Sequence, residues 1–181
     1  MGPGLTTGWV CGLAGPPPDP AGRPRATKRI ANPGCHSSGF ILLMRPLVDA
    51  GLVAASTAVS ATSITGYSGG GKKMIETYKA GGDPKLDAPM PYGLRLAHKH
   101  VPEMATHSGL STPPVFMPIV GPFYKGLAVS IPLHLSQLAG GTSARSLHEA
   151  LTARYADERF IRVMPLRDPG TLESTYFDVQ A

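Results

Sequence analysis

The residues best suited to chemistry in this 181-residue chain lie in three short stretches. In the first, Asn32, Pro33, Gly34 and Cys35 precede an apolar run from Phe40 that reads as a helix. A cysteine at a helix start meets unpaired backbone N–H groups and the positive end of the helix dipole, both of which favour the thiolate. Cys35 is therefore the candidate nucleophile, the bland alternative being a small residue buried after a turn. In the second stretch, Ser63-Ile64-Thr65-Gly66-Tyr67-Ser68-Gly69-Gly70-Gly71-Lys72-Lys73 leads into Met74, Ile75 and Tyr78 at helical spacing. Strand, glycine loop and helix together make an anion-binding arrangement, in which close backbone approach, helix N–H donors and a lysine meet a phosphate. Lys73 stands where a P-loop needs Ser or Thr to hold magnesium, which excludes nucleotide hydrolysis. The alternative is a flexible turn with solvated lysines.

The third stretch is His98-Lys99-His100-Val101-Pro102-Glu103. A strand over Tyr92–Ala97 would deliver both histidines to one side, with Pro102 holding Val101 extended. An imidazole titrating near pH 6.5 suits general acid–base work. His98, His100 and Glu103, with His107 or Cys35, also contain zinc-ligand types, but no tight ligand motif is present and no metal is expected. Histidines serving only as hydrogen-bonded core or surface residues are the remaining reading.

Several elements must position these groups. Phe40, Ile41, Met44, Leu47, Val48 and Leu52 recur on one helical face, with Gly51 as a stop and Pro46 expected to kink the helix. Residues Ser56–Thr65 read as a strand leading into the glycine loop, and Ala80–Pro91 reads as loop. Val115–Val120 and Leu127–Leu135 are expected to pair with each other across a Gly/Pro turn. Thr142 or Ser143 caps a helix bearing Leu147, Leu151 and Tyr155, and Phe160–Met164 and Thr175–Val179 read as short strands. Strands and helices mix without a regular βαβ repeat. The expected fold is α+β, a mixed, largely antiparallel sheet with helices packed on one face.

Composition narrows the function further. A formal charge of +5 comes from scattered Lys and Arg, and only 7% of residues are aromatic, so neither a basic stripe nor a base-stacking surface is indicated. Small anionic substrates suit the surplus instead. Two cysteines cannot build a disulfide framework, which points to a reducing, cytoplasmic setting. The longest strongly apolar stretch, Phe40–Met44, is far too short to span a bilayer. Neither a nucleic-acid nor a membrane partner is expected.

The three stretches in this order resemble N-acetyl-gamma-glutamyl-phosphate reductase, the NADPH-dependent enzyme of arginine biosynthesis, in its shorter bacterial form. Val120-Gly121-Pro122-Phe123-Tyr124-Lys125-Gly126-Leu127 and Pro132-Leu133-His134-Leu135 also look like that family. The resemblance implies a semialdehyde-dehydrogenase-like substrate domain in which Cys35 attacks the acyl-phosphate carbonyl and expels phosphate. Hydride from NADPH, the reduced form of the implied NADP cofactor, then reduces the thioester through a thiohemiacetal to the semialdehyde. His100 is the implied acid–base residue, with His98 the alternative, and Glu103 orients it or the substrate. Ser68, Gly69, Gly70, Gly71 and Lys72 are the implied contacts to substrate or cofactor phosphate, and a homo-oligomer is implied as well.

The resemblance also implies departures. Residues 1–26 carry no strand, Gly-x-Gly-x-x-Gly turn and helix, and read as an irregular Gly/Pro-rich remnant of the exit from a cofactor domain, with Cys11 in place of a tyrosine. Residues 27–181 read as a catalytic and dimerisation domain, incomplete at its C-terminus. A chain of this kind is expected to have little activity alone. A noncatalytic oligomerising or ligand-binding remnant and a related aspartate-semialdehyde dehydrogenase are the competing readings.

Overall fold

A computed structural model describes residues 10–11 and 30–166. Two-residue strands β1 (Val10–Cys11) and β2 (Ile30–Ala31) pair in parallel and lead directly to helix α1 (Cys35–Asp49). The main sheet then forms from β3 (Ser60–Gly66), β4 (Met90–Pro91), β5 (Val115–Gly121) and β6 (Leu127–Ser130), in the order β4-β5-β3-β6. Helices α2 (Gly71–Ala80), α3 (Val101–Ser108) and α4 (Ala144–Tyr155) complete the described elements. The fold is α+β with a mixed sheet. Both edge pairings are antiparallel, while the longest pairing, β3 with β5, is parallel.

Alternation along β3 and β5 decides where the core lies. Ala61, Ser63 and Thr65 on β3 and Phe116, Pro118 and Val120 on β5 turn inward. Phe40, Met44 and Leu47 of α1 and Met104 of α3 join Val53, Val59, Ala61, Leu110 and Phe116 in one core, flanked by Leu147 and Leu151 of α4. Gly39 lets α1 lie directly on Val129 of β6, where a Cβ would come within 2.7 Å of the valine side chain. The opposite sheet face is apolar but open: Ile64, Val115 and Met117 are 39%, 53% and 40% exposed.

Pro46 lies inside α1, which continues to Asp49; it has no N–H for the Leu42 carbonyl four residues back, and the buried Tyr155 hydroxyl donates to that carbonyl instead at 2.6 Å. Four local expectations need correction. Strands β5 and β6 do not pair with each other but flank β3 on its two sides. The connection between them crosses the end of β3, where Gly66, Tyr67 and Ser68 donate N–H bonds to the carbonyls of Gly126, Phe123 and Tyr124. The residues Tyr92–Ala97 form turns rather than a strand, with Gly93 and Leu96 both at positive φ. Pro102 sits in the first turn of α3, where its missing N–H costs nothing, so Val101 starts a helix instead of extending the chain. Phe160–Met164 is irregular, with Phe160 almost fully exposed and no described strand edge beside it.

Other expectations hold. Ser143 caps α4 through a reciprocal bond with Ser146, and Gly51 at positive φ follows the end of α1. The strand foreseen over Ser56–Thr65 is confined to Ser60 onward, and the loop over Ala80–Pro91 contains a single 3-10 turn at Pro84–Asp87 and the short β4. Thr175–Val179 and most of residues 1–26 lie outside the described residues. Among the described residues no helix is long and apolar enough to cross a membrane.

Candidate functional site

Cys35 is the first residue of α1, exposed and with a free thiol. The first intrahelical bond runs from the Ser38 N–H to the Gly34 carbonyl at 2.8 Å. The N–H groups of Cys35, His36 and Ser37 therefore precede the helical ladder and leave the positive end of the helix at the sulfur. The helix start is itself anchored. The Glu103 carboxylate accepts the Gly34 N–H at 3.0 Å and the Ser37 hydroxyl at 2.6 Å, tying α3 to the first turn of α1. Burial opposes ionisation of Glu103, but these two donors, with His100 and His107 nearby, outweigh it and hold the carboxyl below its ordinary range. Glu103 thus acts on the segment that carries Cys35, a contact the spacing of the His-Lys-His-Val-Pro-Glu string does not reveal.

Two histidines, His36 and His100, meet the thiol, and His98 packs against both of their rings. His100 is the last residue before α3, and its imidazole lies so close over Gly34 that a Cβ there would run into the ring. Gly34 is required for that approach. Ligand-type atoms of Cys35, His36 and His100 all lie within 4.8 Å of one another. The His98 ring stands edge-on to His100 at 4.8 Å and to His36 at 5.7 Å, and its Nδ1 accepts the His100 N–H at 3.3 Å. Burial, with the charges of His100 and Lys99, lowers the His98 pKa. Burial also lowers that of His100, against the pull of Glu103 and with Lys99 assisting, so both rings favour the neutral form that accepts a proton. The Nδ1 of His100 is buried without a hydrogen-bond partner among the described residues.

His36 is the site residue that sequence reasoning missed. Only 3% exposed, it reaches Ser63 Oγ through Nδ1 at 2.7 Å and the Tyr92 hydroxyl through Nε2 at 3.0 Å, and packs against Phe116. Burial, then His100, His98 and Lys99, depresses its pKa to about 4, so it stays neutral near pH 7. Tyr92 is pushed up by burial and by the charge of Cys35, which places its hydroxyl within the electrostatic reach of the thiol. The available signal was Ser63, a polar residue midway along a strand with one buried face, which requires a buried polar partner.

The glycine loop follows three residues beyond Ser63, about 10 Å along the strand. Tyr67–Gly70 forms a 3-10 turn before α2, as the strand-loop-helix reading requires. Several of its donors are already used, however. Ser68 N–H serves the Tyr124 carbonyl and Gly71 N–H the Ser68 carbonyl. At Gly66 it is the protein's own backbone that approaches closely, since a Cβ there would meet Lys125 N and Tyr124 O at 2.7 Å. Gly69, Gly70, Lys72 and Lys73 are exposed, with the Lys72 ammonium 3.8 Å from Glu76. A groove of about 350 Å³ beside the loop, lined in part by Tyr67, Tyr78, Leu86 and Pro122, includes none of the Cys35 cluster.

The model of the semialdehyde dehydrogenase dimerisation domain matches residues 35–178. The chain belongs to this family. It is also similar to a protein named N-acetyl-gamma-glutamyl-phosphate reductase 2 from Pseudomonas putida, at 44% identity over 165 residues, 91% of this chain and 53% of the relative. A Rhizobium etli protein named N-acetyl-gamma-glutamyl-phosphate reductase matches at 44% over 170 residues, 93% of this chain and 55% of its own. A Nostoc protein named N-acetyl-gamma-glutamyl-phosphate reductase 2 matches at 38% over 182 residues, 96% of this chain and 56% of its own. The chain thus spans about half the length of the curated relatives it matches.

Proposed function

We propose that this semialdehyde-dehydrogenase-type domain carries the acyl-transfer half-reaction of an N-acetyl-gamma-glutamyl-phosphate reductase, which forms the enzyme thioester and releases phosphate ahead of the reduction to N-acetylglutamate semialdehyde in arginine biosynthesis. The observation that supports it best is the meeting of Cys35, first residue of α1, with a ring nitrogen of His100 within 4.8 Å. In the proposed reaction the Cys35 sulfur bonds to the acyl carbon, the thiol proton passes to His100, and the carbon–oxygen bond to phosphate breaks. The leaving phosphate departs as the thioester forms. His36 is less suited to take the proton, because both of its nitrogens already engage Ser63 and Tyr92. His98 backs His100 rather than the thiol, and Glu103 holds the Gly34–Ser37 turn in register.

NADPH, when bound, supplies the hydride that reduces a thioester of this kind to the aldehyde. Among the described residues the glycine loop does not fit a dinucleotide cradle, because the N–H groups of Ser68 and Gly71 are spent internally. The chemistry assigned to these residues therefore ends at the thioester. The loop's contribution toward an anionic substrate rests on Lys72 and Lys73.

The acylation step is testable without the cofactor. Incubating the chain with N-acetyl-gamma-glutamyl phosphate generated in situ should add one acyl mass, release one phosphate, and place the adduct on Cys35. Cys35→Ser should abolish the adduct and Cys11→Ser should keep it. An adduct on Cys11, or none on a folded chain, overturns the assignment.

A further inference from the structure

We propose that Cys35, His36 and His100 form a thiolate–imidazole site for Zn²⁺, and that the ion, by occupying the sulfur, blocks the nucleophile. A thiolate with two imidazoles is a donor set that zinc favours over harder cations. Zinc–sulfur and zinc–nitrogen bonds of about 2.3 and 2.0–2.1 Å put tetrahedral ligand atoms about 3.3–3.6 Å apart. The three candidate atoms lie within 4.8 Å of one another, so closure needs at most about 1.5 Å of side-chain movement. The exposed Cys35 side chain can provide much of it.

The surroundings favour the same assignment. With Nδ1–H of His36 donating to Ser63 Oγ at 2.7 Å, the Nε2 lone pair accepts the Tyr92 hydroxyl at 3.0 Å, and a cation takes that lone pair by displacing the hydroxyl. A hydrogen bond of this kind to the distal nitrogen orients metal-bound histidines in general. Nδ1 of His100, buried and without a hydrogen-bond partner among the described residues, leaves this ring with donor capacity those residues do not use. The exposure of Cys35 provides an entry path and leaves a fourth position for water. Binding replaces the S–H bond by a metal–sulfur bond and releases the proton to solvent, with no redox change. No short motif announces the site, because its ligands come from positions 35, 36 and 100. Glu103, whose carboxylate is committed to Gly34 and Ser37, and His107 are outside it.

Binding does not depend on the proposed reaction, although its inhibitory consequence does. The metal-stripped 181-residue chain titrated with Co²⁺ should show a thiolate-to-cobalt charge-transfer band that saturates at one equivalent. Cys35→Ser, a change at an exposed position that leaves the fold's contacts in place, should abolish the band. His100→Asn should weaken binding by about 10-fold or more, and Cys11→Ser should leave it intact. Zn²⁺ should bleach the band and slow modification of Cys35 by a disulfide reagent by about 10-fold or more. Absence of the band, its survival in Cys35→Ser, or saturation at half an equivalent through a metal shared between copies overturns the proposal. No band on a chain that still acylates Cys35 rejects the metal site alone. A band on a chain that does not acylate upholds it and rejects the reaction.

Discussion

The bond between Tyr155 and Leu42 makes a quantitative prediction about the helix that carries Cys35. Pro46 lies inside α1, so the Leu42 carbonyl lacks its intrahelical donor, and the proline ring pushes it outward as well. Tyr155, 7% exposed, donates its hydroxyl to that oxygen at 2.6 Å and thereby fastens α4 to α1. Tyr155→Phe keeps the ring packing and strands the carbonyl. An ordinary hydrogen bond contributes about 1 kcal/mol net, but an acceptor left dry costs roughly 1–3 kcal/mol, and the half-buried setting favours about 1–2 kcal/mol here. Pro46→Ala restores an N–H at position 46, so in that background the carbonyl has a donor and Tyr155→Phe should cost less than about 0.5 kcal/mol. The coupling between the two sites is therefore about 1 kcal/mol, within the range seen for residues sharing one hydrogen-bond network. Urea unfolding of the four chains, at one protein concentration, measures it. A Tyr155→Phe cost that is the same in both backgrounds would refute the reasoning, because the hydroxyl would then not be substituting for the missing N–H.

Acid should destabilise the chain through His36. Its unfolded-state pKa is near 6.5 and its folded value about 4, so the unfolded chain binds the proton first; the His36 contribution is complete above about pH 6.5 and is lost as pH falls toward 4. Between pH 7.5 and 5 the loss is about 2 kcal/mol, read as the change in the unfolding free-energy difference between the parent and His36→Asn; a difference independent of pH would contradict it. Gly34→Ala drives a methyl group into the His100 ring, and should slow Cys35 acylation by on the order of 100-fold while costing about 1–3 kcal/mol of stability. Unchanged acylation would show that His100 need not sit over Gly34.

What was legible in the sequence was what local patterning encodes. The apolar stripe from Phe40 to Leu47 marks α1, Ser143 marks the start of α4, and the glycine loop between β3 and α2 is punctuated by its own residues. Contacts made across the chain were not legible. Val115–Val120 and Leu127–Ser130 look like hairpin partners because they are close in sequence. The segment between them crosses the end of β3 and gives its carbonyls to Gly66, Tyr67 and Ser68, so each strand finds β3 instead. The same crossing changes the meaning of the glycines: Gly66 admits the Tyr124–Lys125 backbone, whereas an isolated reading assigns such a glycine to a phosphate.

The candidate site divides along the same line. Cys35, His98, His100 and Glu103 were identifiable by residue type, but their roles depend on partners far off in sequence. Glu103 looks three residues removed from His100 and suited to orient it. A residue in the first turn of α3 faces whatever that helix packs on, and α3 packs on the start of α1, so its carboxylate takes the Gly34 N–H and the Ser37 hydroxyl. His36 is hidden by its neighbour: adjacent residues on a helix point in different directions, so a histidine beside the exposed Cys35 is directed inward. There it meets Ser63, a strand residue whose hydroxyl is buried by the alternation of β3. One short stretch, Gly34 to Ser37, thus joins both halves of the site. Its first residue admits His100 over the helix start, its cysteine faces solvent, its histidine binds the sheet, and its serine binds Glu103, so the thiol is held by contacts to two separate segments, the start of α3 and β3, rather than by the local motif alone.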